Sequence, residues 1–407
     1  MLPHNAEMSN SGRLIICGLL LLTGCQTGQR PGNVNRVPDW EVISNGEPES
    51  SVGPERLPPS PPVILPTNAP APASPLINRF PEIWVSLDRW SQSNDFGGWQ
   101  RLSPTASPTY RLTTGNDVWV IRMDNPAAYW NGLEVRLGFA PQLIDNRPYI
   151  HTLDLQKNIL PLLDPVRVIG KTNRTIVIDP GHGGGDAGAK NVFNQRYEKD
   201  FTLDWAQRVG QLLATNGWRV VLTRTSDREM ALTNRVALAE RENADFFLSL
   251  HFNSAYPNQA QSGLETYCLT PVGMPSSLRR GYEDDPARAF PNNGFDTQNL
   301  QYAVRLHRAL LKVNDNPDRG VRRARFLTVL RGQNRPAVLL EGGYLSNPRE
   351  AQLIADPLHR QQLAEAVAKA LTSDAGGQIV PSVSAASSRS HPPHASESSL
   401  TGNQDAQ

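Results

Sequence analysis

The chain has 407 residues, enough for two domains plus tails at roughly 100–200 residues per domain. Its 40 Lys and Arg nearly balance its 39 Asp and Glu, so no net field points to nucleic acid or to an acidic polymer as a partner. Of the 34 prolines, 13 are concentrated between Pro31 and Pro81, and others return near the C-terminus. Such stretches bury too little apolar surface to offset chain entropy, so the ordered core is shorter than the chain.

At the start, Arg13 precedes the apolar run Leu14-Ile15-Ile16-Cys17-Gly18-Leu19-Leu20-Leu21-Leu22 and then Thr23-Gly24-Cys25. The run is too short to span a bilayer comfortably and ends in small residues before a cysteine. It resembles a bacterial lipoprotein signal over 1–24, with Cys25 left to carry lipid. Beyond the signal only Cys25 and Cys268 remain, so no intramolecular disulfide is expected. Residues 25–80 read as a Pro-rich linker, a semi-extended spacer.

Residues 81–168 hold short apolar runs separated by turn formers. Ile83-Trp84-Val85, Val118-Trp119-Val120-Ile121 and Leu133-Glu134-Val135-Arg136-Leu137 alternate with stretches such as Thr114-Gly115-Asn116-Asp117 and Asp145-Asn146-Arg147-Pro148. The pattern predicts a small β-rich domain. Its Ala140–Ile150 stretch resembles a repeat of copper-amine-oxidase-like N-terminal modules, and the segment carries no evident chemistry.

From 173 to 373 the period changes. Continuous apolar strands are predicted at Thr175–Ile178, Arg219–Leu222, Phe246–Leu250, Leu264–Leu269, Phe326–Leu330 and Ala337–Leu340. Helical spacing fills Glu198–Leu213, Leu232–Glu242, Leu300–Leu311 and Leu358–Leu371. Buried strands interleaved with amphipathic helices predict an α/β fold: a three-layer domain with a mostly parallel or mixed central sheet, preceded by the small β-rich domain. Residues 374–407, rich in Ser, Pro, His and Ala, are expected to be a disordered tail.

Chemistry concentrates where strands end. His182 lies in the glycine-rich run Asp179-Pro180-Gly181-His182-Gly183-Gly184-Gly185-Asp186, directly after the first strand. His251 ends the Phe246–Leu250 run, and Glu341 ends Ala337–Leu340. Ligands of open α/β sheets bind at the carboxyl ends of strands, so parallel strands would align all three along one edge. Glu198 heads the helical stripe Glu198, Phe201, Trp205, Val209, Leu212, where a buried carboxylate is costly unless a charge meets it. A metal would satisfy this set. Zinc takes imidazole and carboxylate ligands, so His182, Glu198 and His251 are the expected ligands, with Glu341 as general base. Any one of the four alone reads as an ordinary loop or terminus residue; it is the set that points to a site.

Several ordered strings carry a specific resemblance: Ile178–Ala189, Glu198-Lys199, Ser249-Leu250-His251-Phe252-Asn253, Gly263-Leu264-Glu265-Thr266-Tyr267, Asp318-Arg319-Gly320-Val321 and Leu340–Asn347. Over about 173–371 the chain resembles N-acetylmuramoyl-L-alanine amidase family 3. The resemblance implies hydrolysis of the amide between N-acetylmuramic acid and L-alanine in peptidoglycan, for wall remodelling or cell separation. It also implies one Zn2+ on His182, Glu198 and His251, with Glu341 catalytic. The chain departs from many members in having Gly342, not Thr, after that glutamate. Residues 271–298, where some members carry an inhibitory helix, hold Pro275, Pro286, Pro291 and Gly294, so a groove-lining loop is expected there. The implied partners are peptidoglycan, a membrane through the lipid on Cys25, and a protein activator; the implied location is the cell envelope, facing the periplasm from the outer membrane.

Rival chemistries fit less well. A serine esterase needs a G-x-S-x-G elbow, and the chain has none. A phosphate loop needs G-K-[ST] after its glycines, which Gly188-Ala189-Lys190-Asn191 lacks. A zinc carboxypeptidase acting on the stem peptide needs a cation for the terminal carboxylate; Arg319 or Arg224 could be argued for that, but groove-lining and structural roles suit them better. A binding or regulatory pseudoenzyme would not need all four site residues.

Overall fold

The computed structural model describes residues 83–373, apart from 116, 164–173, 279–283 and 314. The expected signal, Cys25, the linker and the tail lie outside the described residues. Cys268 is buried as a free thiol.

The α/β half is built on strands whose side chains are apolar on both faces. β9 (Thr175–Pro180), β11 (Phe246–Asn253) and β14 (Ala337–Tyr344) are buried along their whole length. β10 (Arg219–Leu222), β9, β11 and β14 run parallel, while β12 (Leu264–Cys268) turns antiparallel against β14. β13 (Asp318–Arg323) then pairs parallel with β12. The sheet is therefore mixed.

Period-two alternation assigns the faces. Ile176, Ile178, Phe246, Leu248, Leu250, Val338 and Leu340 share one core with α4 (Glu198–Thr215), α6 (Asp296–Leu311) and α9 (Pro357–Thr372). Val177, Phe247, Tyr267 and Leu339 pack on the other face with α5 (Leu232–Arg241) and α7 (Thr328–Arg331). Asp179, His251, Glu265 and Glu341 carry the parity of this second face. α8 (Pro348–Ala355) starts where Asn347 caps the amides of Arg349 and Glu350, with Pro348 pre-set for a first turn.

α4 places Glu198, Phe201, Trp205 and Val209 on its buried side, with Leu213 fully buried and Leu212 only partly so. Full burial of Phe201 and Trp205 stabilises the layer by roughly 1.5–3 kcal/mol each. The helix stops at Asn216, and Gly217, at φ 80, takes the left-handed turn that releases the chain.

Residues 83–163 form β1 (Trp84–Ser86), α1 (Leu87–Gln92), β2 (Trp99–Arg101), β3 (Thr109–Thr114), β4 (Asp117–Arg122), β5 (Ala127–Trp130), β6 (Leu133–Arg136), β7 (Gln142–Ile144) and β8 (Arg147–His151). Helical turns follow, α2 (Thr152–Asp154) through α3 (Leu160–Leu163). β1, β8 and β7 make a small antiparallel sheet. The meander β2–β6 instead continues the large sheet, because β6 pairs with β13 through Val135 and Val321.

One predicted strand is corrected. Phe326–Leu330 is not a strand: the chain leaves β13 at Arg323 and enters α7 at Thr328. A short apolar run suits either element, and here Leu327, Val329 and Leu330 fill the core on the α5 face. The strand lies earlier, in the charged stretch Asp318–Arg323. Between 271 and 298 the described residues show one 3₁₀ turn at Pro291–Phe295 and the first turn of α6, with no long helix of their own.

Candidate metal centre

β9 ends in Asp179-Pro180, and the next eight residues form a tight loop over the sheet edge. Asp179 is buried and accepts from Thr223 Oγ1 (2.6 Å), Arg235 Nη1 (2.7 Å) and Ser249 Oγ (3.0 Å). Arg235 also donates to the carbonyls of Pro180 (3.0 Å) and His182 (2.9 Å), and Arg224 donates to those of Pro180 (3.1 Å) and Gly181 (2.8 Å). The two guanidiniums thus hold the loop from below, and Gly183 and Asp186 close it with backbone bonds of 2.8 and 3.2 Å. Held this way, His182 adopts φ 64, a left-handed conformation uncommon for a residue with a side chain.

The three histidine and glutamate side chains converge. One ligand atom from each of His182, Glu198 and His251 lies within 4.8 Å of the others, and all three residues are buried. His182 Nε2 is 3.2 Å and His251 Nδ1 3.0 Å from the same Glu198 Oε1. Glu198 itself is fixed by the amides of Ala189 (3.0 Å) and Phe252 (3.0 Å). Asp186 Oδ1 accepts from His182 Nδ1 at 2.8 Å, so the proton sits on Nδ1 and Nε2 turns toward Glu198. Glycines make the room. A Cβ on Gly181 would stand 2.2 Å from His251 Cε1, and one on Gly188 would stand 2.7 Å from His182 Cδ2 and 2.8 Å from Glu198.

The electrostatics follow from that crowding. Burial opposes the charged form of every group here, yet Glu198 and Asp186 carry His182 up to about 9. Burial likewise works against ionised Glu198, but the two imidazoles hold its pKa below the usual carboxylate range. His251 is pushed down by burial. Two imidazoles and a carboxylate gathered among buried residues are the donor set of a transition-metal site, and these three residues fit one.

Glu341 pairs in register with His251 across β11 and β14. It is buried, its Oε2 accepts no hydrogen bond from the described residues, and burial, then Glu198 and Glu265, raise its pKa well above the ordinary value. The neighbouring Gly342 has a packing cause. A Cβ there would stand 2.8 Å from Phe252 and 3.0 Å from Trp205, so those rings occupy the space a larger residue needs.

Two residues beside the site received no role from the sequence. Asp186 could be found four residues after His182 in the same glycine loop. Glu265, opposite Glu341 in the antiparallel pair, shows only as an acid between Leu264 and Thr266 of a strand. Arg224, weighed above as a carboxylate receptor, is buried and occupied by backbone carbonyls.

A family model described as N-acetylmuramoyl-L-alanine amidase matches residues 176–373. A probable cell wall amidase, LytH, of Staphylococcus aureus is 34% identical over 199 residues, 49% of this chain and 57% of that protein. The chain thus spans little more than half the length of the curated relatives it matches. Among solved structures, the catalytic domain of CwlV, an N-acetylmuramoyl-L-alanine amidase from Bacillus (Paenibacillus) polymyxa var. colistinus, is 32% identical, covering 49% of this chain and 96% of that one, at TM-score 0.41. An N-acetylmuramoyl-L-alanine amidase from Clostridium difficile 630 is 30% identical, covering 51% and 100%, at TM-score 0.42.

Proposed function

Over residues 176–373 this chain belongs to the N-acetylmuramoyl-L-alanine amidase family, and from that premise we propose that it hydrolyses the bond between N-acetylmuramic acid and L-alanine in peptidoglycan, with zinc as cofactor. The observation that carries the reading is the His182–Glu198–His251 cluster with Glu341 in register beside it.

In this reading His182, Glu198 and His251 hold one zinc ion. Bound there, zinc supplies a Lewis acid and a water of lowered pKa. The chain's own residues do the rest. Asp186 holds the His182 ring in the tautomer that leaves Nε2 for the ion. Asp179, Arg235 and Arg224 keep the loop in place without touching substrate. Glu341 takes the proton of the attacking water and delivers it to the departing alanine nitrogen.

We place the enzyme in the cell envelope, tethered by a lipid on Cys25; the support is the signal-like sequence before that cysteine. A stem-peptide carboxypeptidase is distinguished by its product, terminal D-Ala instead of a stem peptide with a free L-Ala amine.

The test is Glu341→Gln. The variant should keep its zinc, measured by elemental analysis, and lose turnover by roughly 10²–10⁴-fold, the range of a general acid–base group. Near-normal turnover removes Glu341 from the catalytic role.

A further inference from the structure

The edge of the sheet that carries the metal cluster does not end at Glu341. In the order β9, β11, β14, β12, β13 it continues to Glu265 and then to Arg319. Resting on the amidase reading, we propose that Arg319 receives a free carboxylate on the stem peptide near the cut amide, and so determines which stem peptides are cleaved.

Glu265 cannot take substrate, because its own oxygens are filled. Oε1 accepts from Arg319 Nε (2.6 Å) and Tyr344 OH (3.1 Å), and Oε2 from Asn253 Nδ2 (2.9 Å) and Tyr267 OH (2.5 Å). What Glu265 does is fix Arg319. It grips the guanidinium by Nε, while the Tyr344 ring lies 5.3 Å from the guanidinium carbon. Gly263 supports the stem closely enough that a Cβ there would stand 2.8 Å from Arg319 Cγ. The two terminal amino groups of Arg319 make no hydrogen bond to the described residues, and its side chain keeps 22% exposure. A rigid guanidinium with its planar fork unspent is suited to bidentate capture of a carboxylate.

Its neighbours are different. Arg224 and Arg235 spend their forks on the carbonyls of Pro180, Gly181 and His182, and Arg322 is buried with Nε on the Arg319 carbonyl.

Distance sets the class of ligand. Strands lie about 4.8 Å apart, so the strand of Arg319 is roughly 10 Å from that of Glu341. Two extended peptide residues reach about 7 Å, and the side chain covers the remainder by leaning on Glu265. The matching group is therefore a carboxylate about two residues from the cut bond.

The experiment uses the zinc-loaded full chain and two synthetic muramoyl peptides that differ only in a carboxylate or a carboxamide on the second stem residue. The wild type should favour the carboxylate at least about tenfold in kcat/KM, chiefly through KM, since one charge-assisted bidentate pair is worth at least 1.4 kcal/mol or so. Arg319→Gln should bring the two substrates together, and Arg319→Lys should keep part of the preference. Equal use of both substrates by the wild type, or a variant that slows both alike, overturns the proposal and leaves Arg319 a structural partner of Glu265. If Arg319→Gln fails to fold, Arg319→Lys decides by the same ratio. If the wild type cuts neither substrate, the amidase reading fails separately. Calorimetric titration of the same peptides into wild type and variant then still judges Arg319: tighter binding of the carboxylate form only with Arg319 present supports it, and equal binding overturns it.

Discussion

Asp186 is a group on which the proposed metal centre would depend without supplying a donor atom of its own. Its bond to His182 Nδ1 sets both the tautomer and the ring plane, while its own side chain is nearly half exposed and supports little else. Asp186→Ala should therefore weaken zinc binding by roughly 10–100-fold without unfolding the protein. Competition against a chromophoric chelator measures this, and an unchanged affinity would remove Asp186 from the support of the ring. Glu198 differs, since each of its oxygens also accepts a backbone amide, so replacing it would disturb the start of α4 as well as the proposed metal site.

At the level of elements, the loop after β9 meets β11 with no space to spare. Gly181 lacks a positive φ, so sterics alone forbid a larger residue there. Gly181→Ala should displace His251 and abolish stoichiometric zinc while circular dichroism stays native-like; full zinc occupancy would show that the loop can shift. This edge was legible in the sequence for a physical reason. The β9, β11 and β14 runs are mostly apolar, so His251 and Glu341 at the ends of two of them, and His182 in the glycine loop after the first, stand out. Glu198 stood out likewise, as an acid on an apolar helical stripe. β13 was hidden because Asp-Arg-Gly-Val-Arg-Arg has no apolar alternation. Its first two charged residues find partners elsewhere in the chain: His307 Nε2 lies 3.0 Å from Asp318, and Glu265 accepts from Arg319 at 2.6 Å. Those same distant partners conceal the surroundings of Glu265 and Arg319 from any local reading.

At the scale of the whole molecule, the meander of 83–163 covers an edge of the large sheet. Besides the β6–β13 pairing, Glu134 N donates to Asp318 (2.9 Å), Arg308 to the Trp130 carbonyl (3.2 Å), Arg323 to the Lys157 carbonyl (3.0 Å) and Gln301 to the Pro161 carbonyl (2.8 Å). Removing residues before 173 would strip partners from buried donors, at about 1–3 kcal/mol each, and uncover the edge of β13. A chain starting at 173 should melt at least about 5 °C below one starting at 83 and aggregate at lower concentration. Equal melting points would show that the family segment stands alone.

Mass spectrometry of purified sacculi digested with the full chain, with and without a chelator, tests the proposed metal-dependent cut at the lactyl–alanine bond. The expected products are intact stem peptides with free L-Ala amino termini, lost on chelation and restored by zinc. Release of terminal D-Ala, or the same stem peptides in undiminished yield after the metal has been removed, would contradict it.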